Sequence, residues 1–168
     1  MRRMAQLVLV SLMAASATLA GAAETLPAPA GPVLLTISGK VAVTNAAGQA
    51  QFDREMLLSL GQQSFTTGSA VADKPQLFEG VPLKAILDRV GASGDAIRAS
   101  ALNDFEVVIP RDDLRFGPLV ALKADGQLLK LRDKGPLWIV YPRDDHKELD
   151  DMRYDSRWVW QLNRLHIE

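Results

Sequence analysis

Only one stretch of this 168-residue chain carries a sustained helical repeat. Leu83, Ile86, Leu87 and Val90 recur at i, i+3, i+4 and i+7, which puts them on one face of a helix. Pro82 stands at its first turn, where a missing N–H costs nothing, and Gly91 follows its last apolar residue, where a left-handed residue ends a helix. Elsewhere the apolar residues come in short runs bounded by Gly, Pro, Asn and Asp, the pattern of strands. A chain with so little helix must bury its hydrophobic surface mainly on sheets. The expectation is an α+β domain with a mainly β core and a few short helices.

The strand candidates follow from the same punctuation. Residues 33–37 form the first, and 41–43 continue it after a Ser38-Gly39 break. Ala46-Ala47-Gly48-Gln49 reads as a turn, and Asp53 can cap a short helix with Met56, Leu57 and Leu60 on one face. Residues 63–67 read as a strand and 68–76 as a loop. Residues 97–102 and 105–109 are strands around Asn103-Asp104, and Pro110-Arg111-Asp112-Asp113-Leu114 forms one helical turn. Residues 119–123 and 127–131 flank Ala124-Asp125-Gly126, and Asp-Gly is a strong hairpin signal. Residues 137–141 form an apolar strand that Pro142 ends, and 157–167 form the last strand. In that strand Trp158, Trp160 and Leu162 share one parity and Leu165 and Ile167 the other, which a bulge near Asn163 reconciles.

The first residues read as an address. Arg2 and Arg3 precede an apolar run from Leu7 to Leu19, and small residues crowd Ala20-Gly21-Ala22-Ala23. This is the layout of a secretory signal peptide over 1–23, too short to span a membrane comfortably. Arg2-Arg3 also raise a twin-arginine route, although Met4-Ala5-Gln6 lacks the aromatic-leucine continuation of such signals. Residues 24–32, rich in Pro and Ala, read as a flexible lead-in, and 33–168 as a single domain. The expected location is periplasmic or secreted, with no membrane attachment once the signal is removed.

Composition excludes several kinds of chemistry. The 19 Lys and Arg balance 20 Asp and Glu, so no basic excess exists to grip nucleic acid. There is no cysteine, hence no disulfide, thiolate metal site, cysteine nucleophile or iron–sulfur cluster. The two histidines, His146 and His166, do not suffice for a histidine-rich metal site. No serine-nucleophile motif and no phosphate-cradling glycine loop is present.

What remains is modest. Asp144, His146 and Glu148, in the acidic stretch 144–151, offer oxygen and imidazole ligands, but no cation-loop spacing and no glycine shapes the turn. That stretch reads first as a solvated loop. Trp138, Trp158 and Trp160 read first as packing and second as a ligand platform. Arg143 and Arg157 lie at the ends of apolar strands, where guanidinium groups either grip an anion or pair with nearby acids such as Asp155.

Several stretches occur in an order that resembles the molybdopterin-binding domain of the sulfite oxidase family. Phe78-Glu79-Gly80-Val81-Pro82-Leu83-Lys84-Ala85-Ile86-Leu87 is similar to that family's W/F-x-G-V-P-L-x-x-L-L segment. Ala101 to Pro110, with Asn103-Asp104-Phe105 at the turn, resembles its A-x-D-G-Y strand pair. Leu119 to Leu129 resembles its N/D-G hairpin, Gly135 to Pro142 its G-x-P-L-R-L-V-x-P strand, and Ser156-Arg157-Trp158-Val159 its closing K-W strand. The resemblance runs from about Val33 to the end of the sequence.

In catalytic members of the family a cysteine thiolate ligates molybdenum, and basic and hydroxyl groups hold the pterin phosphate. The resemblance puts the cysteine region at Phe65-Thr66-Thr67-Gly68, where threonine stands. A hydroxyl does not replace a soft thiolate on that metal without changing its chemistry. Trp138 stands for the arginine of P-L-R-L-V, and Arg143 for the glycine after the strand's proline. The resemblance thus implies the fold together with a cleft that holds no molybdenum cofactor. Its candidate lining is Thr66, Thr67, Asn103, Arg143, Ser156 and Arg157. The expectation is a non-catalytic module for a small anionic ligand or an extracytoplasmic protein partner. The alternative is a molybdopterin-dependent oxidoreductase whose metal is held without a protein thiolate, Ser156 and Arg157 touching the phosphate. A divalent-cation site in 144–151 is the third reading.

Overall fold

In a computed structural model that describes residues 25–168, the chain builds two sheets around one core. The signal peptide read over 1–23 lies outside the described residues. In the first sheet β1 (Leu35–Gly39) pairs antiparallel with β2 (Ala50–Phe52) and parallel with β10 (Leu162–Ile167). The other side of β10 pairs with β5 (Ala96–Ala101), and β5 with β6 (Glu106–Pro110), giving the order β2-β1-β10-β5-β6. The second sheet runs β3 (Gln63–Ser69), β4 (Ala72–Pro82), β7 (Leu119–Ala124), β8 (Gln127–Leu128). Beyond β7, next to β8, lies β9 (Trp138–Val140). Two backbone bonds, Ile139 N–H to the Val159 carbonyl and Leu162 N–H to the Leu137 carbonyl, join β9 to the segment entering β10 and so tie the sheets together.

Side-chain parity explains which faces are inward. In β1, Leu35 and Ile37 are fully buried while Thr36 and Ser38 are half-buried. The run Leu137 to Tyr141 is buried at every position, as an apolar strand covered on both faces must be. The parity change in the last strand occurs where the sequence puts it: the register of β10 against β5 shifts between Leu162 and Arg164, leaving Leu162, Leu165 and Ile167 all inward.

The expected helix is α2 (Leu83–Arg89), and its four apolar residues are fully buried. Pro82 is its N-cap and also the last residue of β4. At its other end Gly91 takes φ +59°, and the Ala92 N–H reaches back to the Leu87 carbonyl. The short α1 (Arg54–Leu58) is capped by the Asp53 carboxylate, which accepts the Met56 N–H at 2.9 Å. The turn after β6 is a 3-10 helix, Arg111–Phe116. Two further 3-10 turns occupy the acidic stretch, and α3 (Met152–Asp155) follows it.

Four expectations need correction. Residues 68–76 are no loop: β3 and β4 form a hairpin that turns at Ala70-Val71. Between the pairs Thr67–Gln76 and Ser69–Ala72, β4 has two residues more than β3, which takes Pro75 out of the ladder. Residues 41–43 are not a strand, because the N–H groups of Ala42 and Val43 both go to the Val90 carbonyl under the end of α2. The last strand begins at Leu162, since Gln161 takes φ +51° and breaks the extension of 157–161. From Thr25 on, the lead-in is fastened: Leu26 is buried, the Pro27 carbonyl accepts from Asn45, and the N–H groups of Ala30 and Gly31 both bond to the Asp53 carboxylate. Among the described residues no helix is long and apolar enough to cross a membrane.

Candidate functional site

The expected threonines sit on β3, where alternation sends one out and one in. Thr66 is exposed and Thr67 is buried. The Thr67 hydroxyl accepts the Asp144 N–H at 3.1 Å and lies 3.3 Å from the Gly68 carbonyl, to which it donates. In return the Asp144 carboxylate accepts the Gly68 N–H at 2.8 Å. The pair is a reciprocal clasp between β3 and the 3-10 turn Arg143–Asp145.

The two arginines are also engaged. Arg143 bonds to Asp150 and lies 3.2 Å from Asp155. The bond to Asp150, together with the charges of Asp155 and Asp144, holds its guanidinium above the ordinary value. Arg157 bonds at 2.7 Å to Asp113, a buried carboxylate that also accepts the Tyr141 hydroxyl at 3.0 Å. Burial, and next the Asp113 charge, push the Tyr141 phenol far above its ordinary value, so it stays a neutral donor. The face of Tyr154 lies under the Arg157 guanidinium.

Most of the acidic stretch is consumed in the same way. Asp144 holds Gly68, Glu148 pairs with Arg115, Asp150 with Arg143, and Asp151 caps α3 while pairing with Arg153. His146 packs edge-on against Phe116. No group of three or more potential metal ligands is gathered among the described residues.

A cavity of about 230 Å3 opens where three elements meet. Residues 69–71 at the β3–β4 tip form one wall, Asn103 and Phe105 at the β5–β6 turn a second, and Asp155, Ser156, Trp158 and Trp160 a third. Of the six expected cleft residues it therefore gathers Asn103 and Ser156. Thr66, Thr67, Arg143 and Arg157 do not line it, although Arg143 touches its wall through Asp155. The Asn103 amide oxygen accepts the Phe105 N–H, and the Ser156 hydroxyl donates to the Arg153 carbonyl. Trp158 closes the floor, packing edge-on with Phe78 and Trp138, whereas Trp160 is 39% exposed. Trp138 thus serves packing, and Trp158 and Trp160 serve the cavity.

Sequence reasoning missed Asp113, Phe105 and Val71 as participants. Asp113 had a signal: it precedes Phe116 by three residues, and in a 3-10 turn such residues share a face, so both are buried. Phe105 and Val71 had none, because nothing local says that the two hairpin tips converge.

No protein-family model matches this chain, and no curated protein matches it. Among solved structures it is similar to the sulfane dehydrogenase SoxCD from Paracoccus pantotrophus, at a TM-score of 0.61 and 21% identity over 79% of this chain. The fold is sulfite-oxidase-like. The matched region spans 37% of that protein's chain, so the likeness speaks for the architecture alone.

The residues present do not fit the molybdenum cofactor of the family that the sequence resembles. The chain has no thiolate to offer, and of the two threonines in the expected ligand segment Thr67 is buried and already bonded to Asp144 and Gly68, which leaves only the hard hydroxyl of Thr66. Of the groups expected on a phosphate, Arg157 is committed to Asp113.

Proposed function

We propose that this chain is a non-catalytic binding module on a sulfite-oxidase-like fold. It is exported, acts in the periplasm or outside the cell, and receives a small ligand or a protein partner at the cavity beside Trp158 and Trp160. The observation that carries the reading is the Thr67–Asp144 clasp. Where the family resemblance puts a metal-binding thiolate, a buried hydroxyl ties two segments of the fold together. The cavity supports the binding half, being concave and mostly apolar with a few polar groups on its rim. Both arginines expected to grip an anion carry carboxylates of the chain itself, which weighs against a small anion as the ligand.

The likeness to a sulfane dehydrogenase is the one finding that favours a molybdopterin oxidoreductase instead. A single preparation separates the two readings. The full precursor is expressed in a host that makes molybdenum cofactor, and molybdenum and pterin are measured per chain in the exported protein, beside a cofactor-loaded control. Neither is expected. Near-stoichiometric amounts of both would overturn the non-catalytic reading.

A further inference from the structure

We infer that the cavity binds a small organic cation with apolar groups on its nitrogen, of the quaternary ammonium class. The inference rests on the binding-module reading and names the ligand of the same site.

Three rings, Phe105, Trp158 and Trp160, reach the cavity from two parts of the fold. No ring contact joins any two of them, and the aromatic partners of Trp158 are Phe78 and Trp138. They line a common space. The chain uses its own cations on other rings: Arg115 lies over Phe116, Lys134 over Trp138 and Arg157 over Tyr154. Among the described residues no such cation covers a ring of the cavity. An aromatic face carries negative potential, which attracts a cation most strongly where water is scarce.

The sign of the wall agrees. Asp155 is the one charged side chain in the lining. Its partner Arg143 also serves Asp150, with the Asp144 charge beside it, so one guanidinium faces three carboxylates. The surrounding segment 143–155 has Asp144, Asp145, Glu148, Asp150, Asp151 and Asp155 against Arg143, Lys147 and Arg153. An anion entering here meets Asp155 and finds no free guanidinium. A primary ammonium gives up strong hydration to enter an apolar box, whereas an alkylated nitrogen gives up little. A volume of about 230 Å3 suits a compact head group and is smaller than sites for drug-sized ligands.

The test uses the full exported protein and two probes of one shape, choline and its uncharged isostere 3,3-dimethylbutan-1-ol. Calorimetry gives affinity, and the indole N–H resonances of the three tryptophans report the place. Choline is expected to bind about tenfold more tightly than the alcohol, with the Trp160 resonance shifting. Trp160→Ala and Phe105→Ala, which alter exposed side chains, are expected to weaken choline about tenfold. Asp155→Asn is expected to narrow the gap between choline and the alcohol and to leave the affinity of the alcohol unchanged. Equal affinity for the two probes in the unmodified protein overturns the cation inference while leaving a binding pocket. No choline binding, or tighter binding of acetate or phosphate, also overturns it. Failure of the binding-module reading has a separate signature, molybdenum and pterin in the same preparation.

Discussion

Asp113 is buried on a 3-10 turn because its carboxylate has two partners there, the Tyr141 hydroxyl and the Arg157 guanidinium. Removing it leaves a buried hydroxyl without an acceptor and a mostly buried cation without its counter-charge. Asp113→Ala is therefore expected to destabilise the protein by about 3 kcal/mol, toward the lower end of the range for breaking a buried pair because Arg157 keeps some access to water. Asp113→Asn retains the oxygen and is expected to cost less. Urea unfolding of the two variants beside the unmodified protein checks both. At this scale the sequence was legible where one residue has one local job. Asp53 as a helix cap and Gly91 as a helix stop follow from their neighbours in the chain. Thr67 was not legible in the same way, since its partner Asp144 depends on how distant segments meet, whereas the pairing of Arg143 with Asp155 follows from their nearness in the sequence.

Among the elements, the legible ones were those whose pattern agrees with a local punctuation mark. The Asp125-Gly126 hairpin and helix α2 both formed where periodicity and turn residues coincide. The β3–β4 hairpin was hidden because Asp73-Lys74-Pro75 is polar and strand-poor, and only the pairing of the flanking Ala72 and Gln76 with β3 carries it into the sheet. On β4, Gly80 pairs with Ala121 on β7, just past the register shift that follows the pair Glu79–Lys123. A Cβ at Gly80 would overlap the Val120 carbonyl oxygen, which is backbone and cannot swing aside, whereas a Cβ at Gly126 would meet nothing. Gly126→Ala thus costs only the strain of its φ of +74°, about 1 kcal/mol. Gly80→Ala must push two paired strands apart and is expected to cost several times as much. Thermal melts of the two variants test the ratio; equal losses would contradict the bulge at this position.

For the whole molecule, β10 decides whether there is a first sheet at all. It lies between β1 and β5, and without it β2-β1 and β5-β6 are separate two-stranded ribbons. Deleting residues 162–168 is expected to abolish cooperative unfolding altogether, read as loss of the sigmoidal transition in far-UV circular dichroism. A shortened protein that still melts in one sharp step would show that the second sheet holds the core by itself. The fold class was legible because helix-poor apolar runs leave few architectures. The cavity was not, because it is assembled from the tips of hairpins belonging to different sheets.

The parallel partnership of β1 with β10 also orders events in time. Ile37 lies beside Leu165, so β1 waits for a strand made much later in the chain. Until the ribosome has released those later residues, β1 has an open flank, and contacts between distant parts of a chain are slow to find. Such a polypeptide cannot close its first sheet until β10 has been made.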